Sequence, residues 1–198
     1  MTTPPAAPAR RSLLRVVLPW AVTLVLLAAA WGLVKITLPD EAAQAPFETV
    51  AEIGQPATTR NLVVTVTDVR AARGVTDAAG WSAEGTWLVV DLEASTQVSQ
   101  DAALLGVTRL LIGDREFTAT DRGATFAKQR LITGVPRAGS LAFELPADAL
   151  TGTATLQLGS PSGAVSDVPL DGMVVLTIDL DAISVENEVA LLENGWAR

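Results

Sequence analysis

The chain has 198 residues with no cysteine, histidine or tyrosine. That excludes disulfides, thiolate chemistry, His-based triads and His- or Cys-ligated metal. The formal net charge of −8 argues against a duplex nucleic-acid binder. It is also unevenly spread. Residues 1–38 carry Arg10, Arg11, Arg15 and Lys35 and no acid, while residues 39–198 carry ten basic and 22 acidic residues, net −12.

Residues 1–15 read as a disordered basic head, rich in Pro and Ala before the three arginines. Val16 to Val34 then runs for 19 residues without a charge. As a helix it would measure about 28 Å, close to the hydrocarbon thickness of a bilayer. Trp20 and Trp31 lie near its ends, and Pro19 falls in the first turn, where a missing N–H costs little. The spacing predicts a transmembrane helix over 16–35. The arginine excess predicts a cytoplasmic N-terminus and an extracytoplasmic body in a single-pass membrane protein.

A cleaved signal peptide is the competing reading. Ala28-Ala29-Ala30 fits the cleavage rule but lies inside the apolar run, and a cut after Ala43-Gln44-Ala45 would leave Pro46 first. An uncleaved anchor is therefore expected. Arg10-Arg11-Ser12-Leu13-Leu14 is similar to a twin-arginine export signal, but ordinary positive-inside charge accounts for it.

After a tether at 36–46, period-2 segments recur between turn signals. Phe47–Ile53 is the first expected strand. In Asn61–Val69, Leu62, Val64 and Val66 share a face, with a bulge expected where Asp68-Val69 breaks the phase. Thr86–Ala94 points Leu88, Val90, Leu92 and Ala94 inward and Asp91 and Glu93 outward. Val107–Ile112 and Arg115–Thr120 flank Gly113-Asp114 as a hairpin. Ser140–Leu145 turns Leu141, Phe143 and Leu145 inward. Thr153–Leu158 and Met173–Asp181 alternate in the same way, the latter through Val174, Leu176, Ile178 and Leu180. Short helical turns are expected at Gln100–Leu105 and Ala147–Leu150. The acidic tail, 183–198, admits either a helix capped by Ser184 or an extended path along the sheet. About eight strands without long helical patterns predict an all-β antiparallel sandwich or barrel over 47–182, with parallel βαβ units unlikely.

Three stretches carry a family resemblance covering about residues 48–181. These are Ala51-Glu52-Ile53-Gly54-Gln55 followed by NLVVTVTDVRAA, then TWLVVDLEAST, then LLIGDREFTATDR with GVPRAGSLAFELPADAL. In this order they resemble a bacterial extracytoplasmic domain-of-unknown-function family in the immunoprotective extracellular, immunoglobulin-like superfamily. The resemblance implies an immunoglobulin-like sandwich behind a signal or membrane anchor, and no catalytic residues. This chain departs from the family in lacking an asparagine after the TWLVVDLEAST strand, where Gln97 stands nearby, and in its acidic tail.

The chemistry-bearing residues are few. Lys128 is the one lysine of the body and could meet Ser140 or Ser99, but no serine sits in a G-x-S-x-G elbow. GSPSG at 159–163 reads as a loop. Asp179 and Asp181 read as a solvated strand face. Asp167, Asp171, Asp179, Asp181, Glu186, Glu188 and Glu193 could offer oxygen ligands to calcium, but no D-x-D-x-D-G loop is present.

The connection 121–137 is a basic island. It holds Arg122, Lys128, Arg130 and Arg137 against Asp121. These residues form a candidate recognition patch for an anionic polymer or an acidic partner; the alternative is pairing with the domain's own carboxylates, such as Glu116 or Glu144. Trp81, in the loop 74–85, is either a binding anchor or a plug folded onto the sandwich end. Trp87 and Trp196 read as packing residues.

The expected function is a non-catalytic, membrane-anchored interaction module of the cell envelope that presents sandwich loops to a protein or polymer. The alternative is a small-ligand or metal-binding module accessory to a membrane machine. No cofactor, enzyme activity or nucleic-acid partner is expected; the expected partners are the bilayer, through residues 16–35, and an envelope protein or anionic polymer.

Overall fold

The computed structural model describes residues 13–36, 46–98, 104–160 and 172–197. The chain divides into two compact units, Met1–Ala43 and Gln44–Arg198. The first contains α1 (Leu13–Ile36), with Pro19 inside it. The Pro19 carbonyl, which lies one turn below Thr23, accepts that residue's hydroxyl at 2.8 Å. From residue 17 to residue 31 the α1 side chains are exposed, Leu24, Leu26 and Trp31 at 63–68%.

Among the described residues no helix is long and apolar enough to cross a membrane. The side chains described in α1 run from 17 to 32, with Lys35 beyond. The uncharged run of the sequence passes both ends of that stretch, from Val16 to Val34. The structure thus supplies a helix over the expected residues but does not establish the expected transmembrane span. The head, 1–12, and most of the tether, 37–45, lie outside the described residues.

The second unit is mostly β. One sheet has the order β1-β9-β8-β5-β6, from β1 (Phe47–Ala51), β5 (Val107–Ile112), β6 (Arg115–Thr118), β8 (Thr153–Gly159) and β9 (Gly172–Asp179). The other has the order β10-β3-β4-β7-β12. It is built on β3 (Leu62–Thr76), β4 (Ser82–Thr96) and β7 (Arg137–Leu145), with β2 (Pro56–Thr58), β10 (Val185–Glu186), β11 (Val189–Ala190) and β12 (Gly195–Trp196) on its edges. Pairing is mainly antiparallel. Three pairs are parallel, β1 with β9 and both β10 and β11 with β3. Each joins segments far apart in sequence, so no tight turn constrains direction and no crossover helix is needed.

The strand phases match the expected ones. Leu62, Val64, Val66, Leu88, Val90, Leu92, Leu110, Leu141, Phe143, Leu156, Val174, Leu176 and Ile178 form one buried cluster between the sheets. The bulge also appears. The β3–β4 register shifts between Val66 and Asp68, which leaves Thr67 as the extra residue. The β5–β6 hairpin closes through Gly113-Asp114, with Gly113 at φ +61°, the left-handed first position that a type II′ turn gives to glycine.

Two strands are longer than expected. β3 continues through Arg70-Ala71-Ala72-Arg73-Gly74-Val75-Thr76, and β4 begins at Ser82. The added part of β3 lacks clean alternation because Ala71 joins the central cluster while Ala72 and Val75 join an outer one; at the start of β4, Ser82, Glu84 and Gly85 are exposed. Ala147–Leu150 begins with a single turn, with the Ala149 N–H on the Pro146 carbonyl at 3.0 Å. Of the expected turn at Gln100–Leu105, residues 99–103 lie outside the described ones; Leu105 is buried.

Candidate functional site

The tail takes the extended alternative. After a 3-10 turn at Leu180–Ala182, β10 and β11 run along the free edge of β3, pairing at Ala71-Ala72 and then at Val75-Thr76. The chain next crosses the outer face of the sheet and ends as β12 on the opposite edge, antiparallel to β7. Val189 and Leu191 are buried in this crossing with Ala72, Val75, Trp87, Val89 and Ala142. The outer face therefore carries a small second core, which explains why Ser140 and Ala142 are fully buried on the face expected to be solvated.

The strap is fixed by polar groups as well. Asp91 occupies the outer face as expected, but it is 5% exposed rather than solvated, because the tail and its partners cover it. Its Oδ2 takes the Arg70 guanidinium at 2.5 Å and its Oδ1 takes the Ser140 hydroxyl at 2.5 Å. Ser140 Oγ in turn accepts the Leu192 N–H at 2.8 Å. A buried carboxylate needs such partners to remain charged at acceptable cost. This Ser140 is enclosed and saturated, so its role is to tie the tail to β4. Further on, Asn194 Nδ2 donates to the Ala124 and Thr125 carbonyls at 3.0 Å each, so the strap also binds the 121–137 connection.

An open groove of about 800 Å³ is lined by Glu93, Ala138, Leu192, Glu193, Asn194, Gly195, Trp196 and Ala197. Its floor follows one row of the sheet, since Glu93 pairs with Ala138 and Ala138 with Gly195. Trp196 is 64% exposed at the rim and Leu192 is 43% exposed. The expectation that Trp196 is a packing residue is thus corrected. Its backbone is held on the sheet edge opposite Arg137, in the other phase from Glu93, and its indole is exposed. Trp87, by contrast, is fully buried. Among the described residues neither Glu93 nor Glu193 has an ion-pair partner.

The basic island is largely consumed internally. Arg122 pairs with Glu144, and its guanidinium lies 5.7 Å from the Trp87 ring centre. Lys128, in a left-handed conformation at φ 59°, pairs with Asp121 at 3.0 Å. Lys128 holds the Asp121 carboxyl below its ordinary value, first through that hydrogen bond and then through its charge. Arg137 donates to the Arg130 carbonyl at 3.1 Å. Arg130 is exposed and its side chain has no ion pair or hydrogen bond among the described residues. Arg122 reaches Glu144 on the outer face of β7, whereas Arg137 shares the inward phase of Leu141 and Phe143. Glu116 is taken by Arg109 at 3.2 Å.

Trp81 is half-buried and folds back edge-on to Trp87, with ring centres 6.2 Å apart at 87°. A Cβ at Gly123, which has φ +68°, would strike the Trp81 ring, so glycine there lets the connection lie flat on the indole. Asp77 locks this corner by accepting the Trp81 and Ala79 N–H groups on Oδ1 and the Ala124 N–H on Oδ2. The Trp81 amide is the first cause of its lowered pKa, with desolvation opposing and the Ala124, Ala79 and Gly80 amides reinforcing. Of the five expected patch residues the structure brings Trp81 and Arg122 together, both against Trp87.

Among the described residues no three acidic groups converge to hold a metal ion; Asp167 and Asp171 lie outside them, as does most of the loop at 159–163. The groove residues were legible only singly: Glu93 by its outward phase and Glu193 by the charge of the tail.

No family model matches the chain. Comparison with curated proteins likewise finds no match. Among solved structures, one of a "putative lipoprotein" from Staphylococcus aureus subsp. aureus NCTC 8325 aligns with 71% of this chain and 99% of that one, at 8% identity and a TM-score of 0.44.

Proposed function

We propose that this chain is a membrane-anchored, extracytoplasmic interaction module of the cell envelope, with α1 as the anchor and an immunoglobulin-like, non-catalytic sandwich as the presenting body. The observation that carries the anchor is the exposure of apolar side chains along α1 from Val17 to Trp31. A helix that is apolar all round needs a nonaqueous surrounding. The uncharged run from Val16 to Val34 and the three arginines before it support the same reading and its orientation.

The interaction role draws on the β12 edge, where a strand paired to β7 presents the exposed Trp196 indole. Exposed aromatic side chains on a fixed scaffold are characteristic of recognition surfaces. The anchor is tested by fractionation. After an alkaline carbonate wash the full chain should stay in the membrane pellet, and detergent should release it. Recovery in the wash would remove the anchor from the proposal.

A further inference from the structure

We infer that the Arg137–Trp196 side of the β12 edge receives a partner polypeptide segment that presents one carboxylate beside an apolar side chain. This names the partner chemistry for the interaction module proposed above and rests on that reading. Two side chains converge there. Trp196 and Arg137 stand directly opposite each other in the antiparallel β7–β12 register. That puts both on one face of the sheet, with Cβ atoms about 5 Å apart. The Ala197 N–H on the Pro136 carbonyl at 3.1 Å continues the pairing by one step. The indole is exposed. Arg137 is half-buried, and its Nη1 donates to Gln129 Oε1 at 3.5 Å and to the Arg130 carbonyl at 3.1 Å. These contacts hold the guanidinium in place but bring it no negative charge. Among the described residues its Nε and Nη2 have no partner, and neither is sealed from solvent. They are the side-by-side donors that take a carboxylate through two parallel hydrogen bonds.

The missing counter-ion sets Arg137 apart. Arg70, Arg109, Arg115, Arg122 and Lys128 each pair with a carboxylate of the sandwich itself. Arg137 is without one in a body of net −12 over residues 39–198. Glu93, the adjacent acid in register, pairs with Ala138 and so lies in the other phase. A carboxylate from a partner completes the pair, and an apolar neighbour on the same segment covers the indole. Other occupants fit less well. An extended polyanion meets the field of the whole acidic body, whereas a single carboxylate feels chiefly the near guanidinium. A second copy brings the same net −12 to itself. A bare anion leaves the exposed Trp196 unused. The platform is fixed, because β12 pairs with β7 and Asn194 ties the strap to the Ala124 and Thr125 carbonyls.

The test uses the full chain in nonionic detergent micelles and a short peptide with Leu-Asp-Leu at its centre. The peptide is capped at both ends, so that Asp is its one charge, and carries an uncharged dye. The same peptide with Asn for Asp, and empty micelles, are the controls. Fluorescence anisotropy should show saturable binding of the Asp peptide, about tenfold tighter than of the Asn peptide and weakening as salt rises from about 50 to 300 mM. Arg137→Gln should bind the Asp peptide about tenfold more weakly, no better than the Asn peptide. Arg137→Lys, which keeps the charge but not the fork, should fall between. Trp196→Ala should weaken both peptides severalfold. Arg73→Gln removes the same charge from an exposed position on β3, three strands away, and should change nothing. Unchanged circular dichroism in each variant shows that the fold is kept, and the comparison of Asp with Asn needs no variant. The inference is overturned if neither peptide saturates, if the two bind alike, or if Arg137→Gln and Arg73→Gln act equally. It is also overturned if polygalacturonate, an anionic polysaccharide, binds the parent more tightly than the Asp peptide does. A photo-cross-linker separates this failure from that of the broader reading. Attachment to an envelope protein from Arg73 but not from the exposed Val135 beside the site, in native membranes, would remove the site and keep the interaction module.

Discussion

Asp91 shows how a single side chain decides the character of a face. Its outward phase was readable from β4, but its burial was not, because the residues that cover it come from a segment about a hundred positions later with no period of its own. Breaking a buried pair from one side leaves the other charge uncompensated. Asp91→Ala should therefore cost about 3 kcal/mol in urea unfolding, somewhat less than for a fully enclosed pair because the Arg70 side chain is 25% exposed. Adding Arg70→Met should recover much of the loss. A double variant as unstable as the single one would show that the ion pair is not the source. Asp77 makes a different residue-scale prediction. Its carboxyl is held below the ordinary 3.8 by the Trp81 amide and its neighbours. A lowered folded-state pKa means stability that is fully present above the unfolded value and lost as pH falls through the folded one. Wild type should thus lose, below about pH 4, an advantage over Asp77→Asn that is constant at neutral pH. An advantage independent of pH throughout that range would contradict the carboxylate's role.

At the scale of elements, the strands that line only the central core were legible through strict alternation. β8 and β9 show this, as do the start of β3 and the bulge after Val66. The later half of β3 was not, because small residues there serve two covered faces; nor was the start of β4, where Ser82, Glu84 and Gly85 are exposed and no apolar alternation marks the strand. The tail was ambiguous for a related reason: its two-residue strands depend on edges that only the folded sheet provides. Leu191→Ala should cost about 2–3 kcal/mol, since that side chain is 5% exposed in the outer core. Phe143→Ala, fully buried in the central core, should cost about 3–5 kcal/mol. If Leu191→Ala were silent in chemical denaturation, the strap would be a loose appendage and the groove it walls would lose its rigidity. The candidate site was less legible than the fold. The basic island drew notice because its charge runs against the body's, but Arg122 and Lys128 answer to Glu144 and Asp121 at positions that sequence spacing does not reveal. Trp196 gave no periodic signal; its exposure follows from an edge pairing with β7.

For the whole molecule, charge and hydropathy divide the chain into a basic, apolar first unit and an acidic sandwich. The central claim of the proposal is that the residues before α1 and the sandwich lie on opposite sides of a membrane. Because the chain has no cysteine, single cysteines placed at Ser12 and at exposed Glu84 can each be probed without background. The decisive measurement is labelling of intact cells with a membrane-impermeant maleimide. Glu84→Cys should label in intact cells and Ser12→Cys only after permeabilisation. Labelling of Ser12→Cys with protection of Glu84→Cys, or protection of both until the cells are opened, would contradict it.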